Sequence, residues 1–383
     1  MASRLRAVSR AGLVGFSLAL AMSAAQAQQT VVKIGVAVPL TGGSASYGKD
    51  IQGGVQMALA EANAQHISIG GKPVKFELVA EDDQADPRVG VQAAQKLVDG
   101  GVAVVVGHFN SGTTLPASQI YAKAEIPMIT PSATNPEITR SGLDTVYRVI
   151  ATDAQNAGNA GAYAVAVTKA KRIAMIDDRT AFGQGEADEF ESAVKAHGGT
   201  VIDREFTNDK AVDFSAQITH MKGMDADLVF FGGLDAQAGM FVKKMRQLGM
   251  NAQFVAGGGV MDANFIKLAG SSAEGAKAWE YGSPLSEIPR GSHFAAQFKQ
   301  AYGTDMTAYA PFAYDATWIA IKAMQAANSV KSSDINGALK RTEYDGITGP
   351  IAFEKNGDLK NAKSTLYEVK DGSWVTVPIK PGV

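Results

Sequence analysis

Residues 32–64 read VKIGVAVPLTGGSASYGKDIQGGVQMALAEANA, and this stretch decides the fold. The run VKIGVAVP, residues 32–39, is almost continuously apolar, the pattern of a strand covered on both faces. A glycine- and serine-rich turn follows. Ile51, Val55, Leu59 and Ala62 then recur at helical spacing, placing one apolar face on a helix over 51–64. The alternation continues through a predicted strand 74–80, helix 88–98, strand 102–106, a helix from Thr114, and strand 126–130. Repeated strand–helix units of this kind build a parallel sheet with helices on both faces.

Working outward, the pattern restarts. A strand at 172–177 (RIAMID) is followed by Phe182-Gly183, a helix, Gly198-Gly199, strand 200–206, another helix, and strand 227–231 ending in Gly232-Gly233. The first half runs strand, Tyr47-Gly48, helix, Gly70-Gly71, strand, helix, strand ending in Gly107. The expected architecture is therefore α/β, with two similar doubly wound parallel-sheet lobes. The chain is expected to cross between them near 149–152 and 279–283. An aromatic-rich helix over 312–326 should bury Trp318 and Ile321, and the tail from Gly349 reads as hairpin-like strands with Asn356-Gly357 and Asp371-Gly372 turns.

Composition narrows the function. The 383 residues include no cysteine, which excludes a disulfide scaffold, a thiolate zinc site, an iron–sulfur cluster and a cysteine nucleophile. A formal net charge of −2 offers no basic field for nucleic acid. At the N-terminus, Arg4, Arg6 and Arg10 precede an apolar stretch over 11–22 and the small-residue site Ala25-Gln26-Ala27, the three parts of a secretory signal peptide over 1–27. The apolar stretch is too short to cross a hydrocarbon core of ~30 Å. The expectation is an exported protein whose mature chain starts near Gln28.

Several motifs fail on their details. GSASYGK, residues 43–49, opens like a phosphate-binding loop but carries Asp50 where a hydroxyl must meet Mg²⁺. Gly183-Gln184-Gly185 lacks the third glycine of a dinucleotide fingerprint. His66, His108, His197, His220 and His293 show no ligand spacing and read as surface or loop residues. Serine hydrolases need G-x-S-x-G, which is absent. Glu81-Asp82-Asp83 with Asp86 sits where a strand hands over to a helix at Pro87, a place for capping carboxylates rather than metal. No metal, no cofactor and no enzymatic activity are expected.

Two hydroxyl-rich loops fall at predicted strand C-termini, where open parallel sheets bind ligands. They are Gly107 to Thr114 (GHFNSGTT) and Thr130 to Pro136 (TPSATNP). Each presents hydroxyls and free backbone N–H groups where a helix begins, which suits a carboxylate. The bland alternative is helix capping alone. The matched pairs Tyr47-Gly48 and Phe182-Gly183 follow the first strand of each repeat. Their rings would oppose one another if the lobes face each other.

The motifs IGVAVPLTGGSASYG, VVVGHFNSGTTLPAS, IPMITPSATNPEIT and FGQG together resemble the leucine/isoleucine/valine-binding family, substrate-binding proteins of ATP-binding-cassette importers with the type I periplasmic fold. The resemblance runs from about Val31 to about Thr376. It implies two lobes joined by three crossovers, here 28–149 with 281–358 and 150–280 with 359–383, closing on a ligand by hinge motion. It also implies a periplasmic monomer that docks reversibly on an inner-membrane permease. By position, Ser111, Ser132 and Thr134 would hold the ligand's carboxylate and part of its ammonium, with Ala133 contributing backbone. Tyr47 and Phe109 would line the first lobe, Tyr309 would pack on the ligand side chain, and Phe182 would close from the second lobe. Some members brace the first lobe with a disulfide, whose positions here are Ala85 and Asn110. The family's usual acidic partner for the ammonium falls at Gly258, and a common second-lobe aromatic becomes Leu234. Asp235 or Asp262 is expected to substitute for the missing acid. Should neither do so, the ligand would be a carboxylate or amide without an amine, such as an aromatic or short organic acid.

Overall fold

The computed structural model describes residues 29–379; the expected signal peptide over 1–27 lies outside the described residues. The first sheet contains β1 (Thr30–Val38), β2 (Ser68–Ile69), β3 (Lys72–Asp82), β4 (Val104–Gly107), β5 (Met128–Thr130) and β6 (Val146–Arg148). Its order is β2-β3-β1-β4-β5-β6, parallel throughout except for β2. Between these strands run α1 (Ala45–Ala64), α2 (Pro87–Asp99), α3 (Ser111–Lys123) and α4 (Glu137–Arg140).

The chain then enters the second sheet through α5 (Asp153–Ala166) and alternates β7 (Ile173–Asp177), α6 (Ala181–Ala196), β8 (Val201–Phe206), α7 (Ser215–Gly223), β9 (Leu228–Gly232), α8 (Asp235–Gln247), β10 (Gln253–Ala256), α9 (Ala263–Ala269) and β11 (Lys277–Tyr281). It next forms α10 (Gly291–Tyr302), α11 (Ala310–Ala327), α12 (Ser332–Leu339) and a small hairpin of β12 (Tyr344–Asp345) with β13 (Pro350–Ile351). The tail, β14 (Ser364–Lys370) and β15 (Ser373–Thr376), adds antiparallel to β11. The second sheet thus runs β15-β14-β11-β10-β9-β7-β8. Apart from β2 and the tail hairpin, both sheets share one strand order, so the repeat seen in the sequence is a repeat of topology.

The helices after β11 return to the first sheet. Phe294, Phe298, Trp318, Ile319, Ile321, Ile335 and Ile351 belong to one buried cluster with Ile34, Val36, Ile51 and Val55. Fourteen of the 18 residues of α11 are buried, so it is a core helix rather than an amphipathic cover. α1 lies so close to α11 that a Cβ on Gly54 would stand 2.1 Å from the Ala310 carbonyl oxygen. Asp50 fixes the start of α11: its carboxylate accepts from the N–H groups of Thr307, Ala308, Tyr309 and Ala310 at 2.7–3.1 Å. The acid that spoils the phosphate-loop motif is therefore a helix cap from another element.

Some boundaries differ from the sequence expectation. α1 begins at Ala45 and α3 at Ser111, each earlier than apolar periodicity places them. Tyr47-Gly48 and Phe182-Gly183 are consequently first turns of helices, not loops. A Cβ on Gly48 would lie 1.8 Å from the Pro39 carbonyl, and one on Gly183 would lie 2.6 Å from the Gly232 carbonyl. The matched glycines let each helix start against the sheet, and close approach rather than amphipathic pattern governs there. His108 also departs from expectation: it is fully buried, with Nδ1 2.7 Å from Asp83 and Nε2 3.0 Å from the Tyr121 hydroxyl. Asp86 does cap α2, accepting from Arg88 and Val89.

Candidate functional site

The loops after β1, β4 and β5 meet the second lobe. Leu234, at the start of α8, packs against the apolar cluster of the first sheet, as does Tyr281 at the end of β11. The Tyr47 hydroxyl donates to Asp235 at 2.8 Å, and the Asn135 side chain donates to the Ala181 carbonyl at 2.6 Å. These contacts span the cleft.

On the first-lobe side, three rings converge. Tyr47 and Phe109 stack at 5.1 Å, and Tyr309 meets both edge-on at 5.7 and 5.3 Å. All three are buried, and burial holds the Tyr47 and Tyr309 phenols far above their ordinary pKa, so both remain neutral donors. Phe182 does not join them; it is half-buried and pairs with no ring among the described residues. The expected opposition of Tyr47 and Phe182 is thus replaced by an aromatic trio within the first lobe, faced by Leu234 and Tyr281. Phe182 is the second residue of α6, behind the Thr180 cap.

Beside the rings, Ser111 opens α3, whose N-terminus has no side-chain cap. The Asn135 N–H donates to the Ser111 hydroxyl at 3.3 Å, bringing both hydroxyl loops together. Thr134 is fully buried, with its hydroxyl beside the Asp153 carboxylate. Ser132 and Ala133 bond within the protein itself. The Ser132 hydroxyl donates to the carbonyls of His108 and Phe109, the Ala133 N–H donates to Thr130, and the Ala133 carbonyl accepts from Arg148. They hold the loop in shape. Arg148, wholly buried, organises that frame: it also donates to the Asn135 carbonyl, the Thr139 hydroxyl and the Asp358 carboxylate.

Both aspartates expected to replace the acid at position 258 are engaged in hydrogen bonds of their own. Asp235 accepts from Tyr47 through one oxygen and from the Asn264 side chain through the other. Asp262 caps α9, accepting from the Asn264 N–H. The loop 257–259 is lined by other acids. Glu186 of α6 accepts from the Gly258 N–H at 2.7 Å, and a Cβ on Gly257 would lie 1.8 Å from its Oε1. A Cβ on Gly258 would fall 2.2 Å from the Tyr281 ring. Glu280 accepts from the N–H groups of Gly259 and Tyr281, fixing the loop. Asp153, first residue of α5 and inside the Thr152–Gln155 capping box, is fully buried with the Thr134 hydroxyl beside its carboxylate.

Burial pushes the Asp153 and Glu280 carboxyls up to about 7, and pushes Glu186 well above the ordinary carboxyl range, helped by the charge of Asp153. Sequence reading missed this group. Glu186 follows Phe182 by one helical turn, and Asp153 lies within a Thr-x-x-Gln cap; those were the only local signals.

Other candidates lie elsewhere. Asp203, Glu205 and His220 gather at the surface, where the imidazole lies 3.2 and 2.7 Å from the two carboxylates and its pKa is raised by them. A cavity of about 380 Å³, lined among others by Tyr147, Phe353 and Lys355, opens beside β6, away from the aromatic trio. No described helix is long and apolar enough to cross a membrane.

A family model described as periplasmic binding protein matches residues 31–373. A Leu/Ile/Val-binding protein homolog from Brucella suis is 33% identical over 360 residues, covering 94% of this chain and 96% of the relative. A leucine binding protein from Thermotoga maritima superposes with a TM-score of 0.83 at 27% identity, covering 91% of this chain and 99% of that one. A branched-chain amino acid transporter substrate binding protein from Streptococcus pneumoniae, solved in complex with isoleucine, superposes at 0.79 with 26% identity, covering 91% and 100%.

Proposed function

Because the chain belongs to the periplasmic binding protein family, we propose that it captures a branched-chain or other apolar amino acid between its lobes and delivers it to the inner-membrane permease of an ATP-binding-cassette importer. The observation that carries this reading is the juxtaposition of the Tyr47–Phe109–Tyr309 trio with the hydroxyls of Ser111 and Thr134 at the uncapped start of α3. The rings and Leu234 receive an apolar side chain. The Ser111 hydroxyl and the first N–H groups of α3 receive a carboxylate, helped by the helix dipole.

In this reading 28–149 with 281–358 form lobe one and 150–280 with 359–383 form lobe two, hinged where the chain passes between the sheets. The protein works as a monomer, exported by a signal peptide cleaved near Ala27, and docks reversibly on the permease. The Tyr47–Asp235 hydrogen bond latches the lobes once they close.

A thermal-unfolding screen tests the proposal. Leucine, isoleucine or valine at ~100 times its dissociation constant adds ~2.7 kcal/mol of stability. Stabilisation by 2-oxo or aromatic acids alone, with none from the amino acids, points instead to a carboxylate without an amine.

A further inference from the structure

Position 258 is glycine, and the Tyr281 ring occupies the space a side chain there would fill. Yet the cleft holds buried acids short of donors: Oε2 of Glu186 and the Tyr281 hydroxyl have no partner, and the Asp153 carboxylate has the Thr134 hydroxyl beside it but no cation bonded to it. Asp153, Glu186 and Thr134 are fully buried, and Tyr281 is 7% exposed. A carboxylate short of donors in such a place is costly, and what offsets it best is a positive group with several N–H donors.

The protein does not supply that group. Arg148 is the cation whose charge reaches Asp153, and its hydrogen bonds run to Asp358, Ala133, Asn135 and Thr139. The other ionisable groups facing the pair are acidic or phenolic: Glu189, Asp178, Glu280 and Tyr281. Nor is this a metal cage. Among the described residues, the trio of acids and histidine close enough to share one ion is Asp203, Glu205 and His220.

We propose that Asp153 and Glu186 hold the ligand's ammonium in place of an acid at position 258, with the Thr134 and Tyr281 hydroxyls completing its shell. This assignment rests on the amino-acid reading above and sharpens it: the site takes α-ammonium carboxylates and rejects the same skeleton with a keto or hydroxyl group. Asp235 is left to its latch with Tyr47. Because burial raises both carboxyls, Asp153 to about 7, binding an ammonium favours their ionised forms, and affinity climbs with pH.

Calorimetric titration with leucine tests it, using the wild type, Asp153→Asn and Glu186→Gln. Wild-type affinity is expected to rise on the order of tenfold from pH 5.5 to 7.5. Each variant is expected to bind at least ~10-fold more weakly and to lose most of that pH dependence. Melting of the unliganded variants at or above the wild-type temperature shows that they fold, since each removes a buried acid at constant volume. Where a variant fails to fold, the wild-type pH profile decides: affinity independent of pH overturns the assignment. Leucine binding by the wild type with equal binding by both variants overturns this assignment while leaving the amino-acid reading standing. A wild type that binds no amino acid overturns both.

Discussion

Gly258 shows how a missing side chain can be filled from elsewhere. Tyr281 covers its Cα and Glu186 takes its N–H, so the loop 257–259 is shaped by residues from α6 and β11. Replacing Gly258 by Ala puts a Cβ 2.2 Å from the Tyr281 ring, and such overpacking costs about 1–3 kcal/mol. Urea denaturation checks it, the expected result being a lower midpoint with an unchanged slope. Tyr47→Phe keeps the ring stack and removes the one hydroxyl that reaches Asp235, leaving a buried acceptor short of a donor. Losing that bond weakens ligand binding by about 1–3 kcal/mol, read by calorimetry, while the unliganded melting temperature moves less. Ser111 and Thr134 were legible because they follow strand ends, where the fold itself exposes hydroxyls. Asp153 and Glu186 were not, because their meeting depends on how α5 packs on α6, and no sequence spacing records that.

Helix starts carry the site, and each is set by a different device. α11 is fixed by Asp50 from α1, α5 by its own capping box, and α6 by Thr180. Asp50→Ala strips the N–H groups of Thr307 to Ala310 of their acceptor and displaces Tyr309 from the trio. Unsatisfied buried donors cost about 1–3 kcal/mol each, so the variant is expected to lose several kcal/mol and most ligand affinity. Retention of wild-type stability in urea would contradict the capping role. The strands were legible at this scale because buried parallel strands are plain apolar runs. Helix starts were less so, since glycine contacts at Gly48 and Gly183 and a distant carboxylate at Asp50 interrupt periodicity exactly where function needs the first turn.

At the scale of the whole molecule, the buried acids give an unusual pH signature. Asp153 and Glu280 are pushed up to about 7, and Asp178 and Asp315 up to about 6, all chiefly by burial. A carboxyl whose folded pKa is raised stabilises fully below its unfolded value near 4, and that contribution is lost as pH rises through 6 and 7. Asp82 and Glu368, whose pKa values are lowered, act oppositely and lose their contribution below about pH 4. The unliganded protein is therefore expected to melt higher at pH 5 than at pH 8 in a scan of melting temperature, with leucine raising the value more at pH 8. The doubling of the α/β unit was legible from the restart of the strand–helix pattern after residue 172. The cleft's charge was not, because an overall balance of 36 basic and 38 acidic residues says nothing of which acids are buried together.

The central claim is that this cleft recognises an ammonium through Asp153 and Glu186. Paired calorimetric titrations at pH 7.5, with leucine and with its 2-oxo counterpart, test it most directly. The structure predicts that leucine binds and that the oxo acid gives no measurable heat at the same concentrations. Tighter binding of the oxo acid, or equal binding of the two, would contradict it.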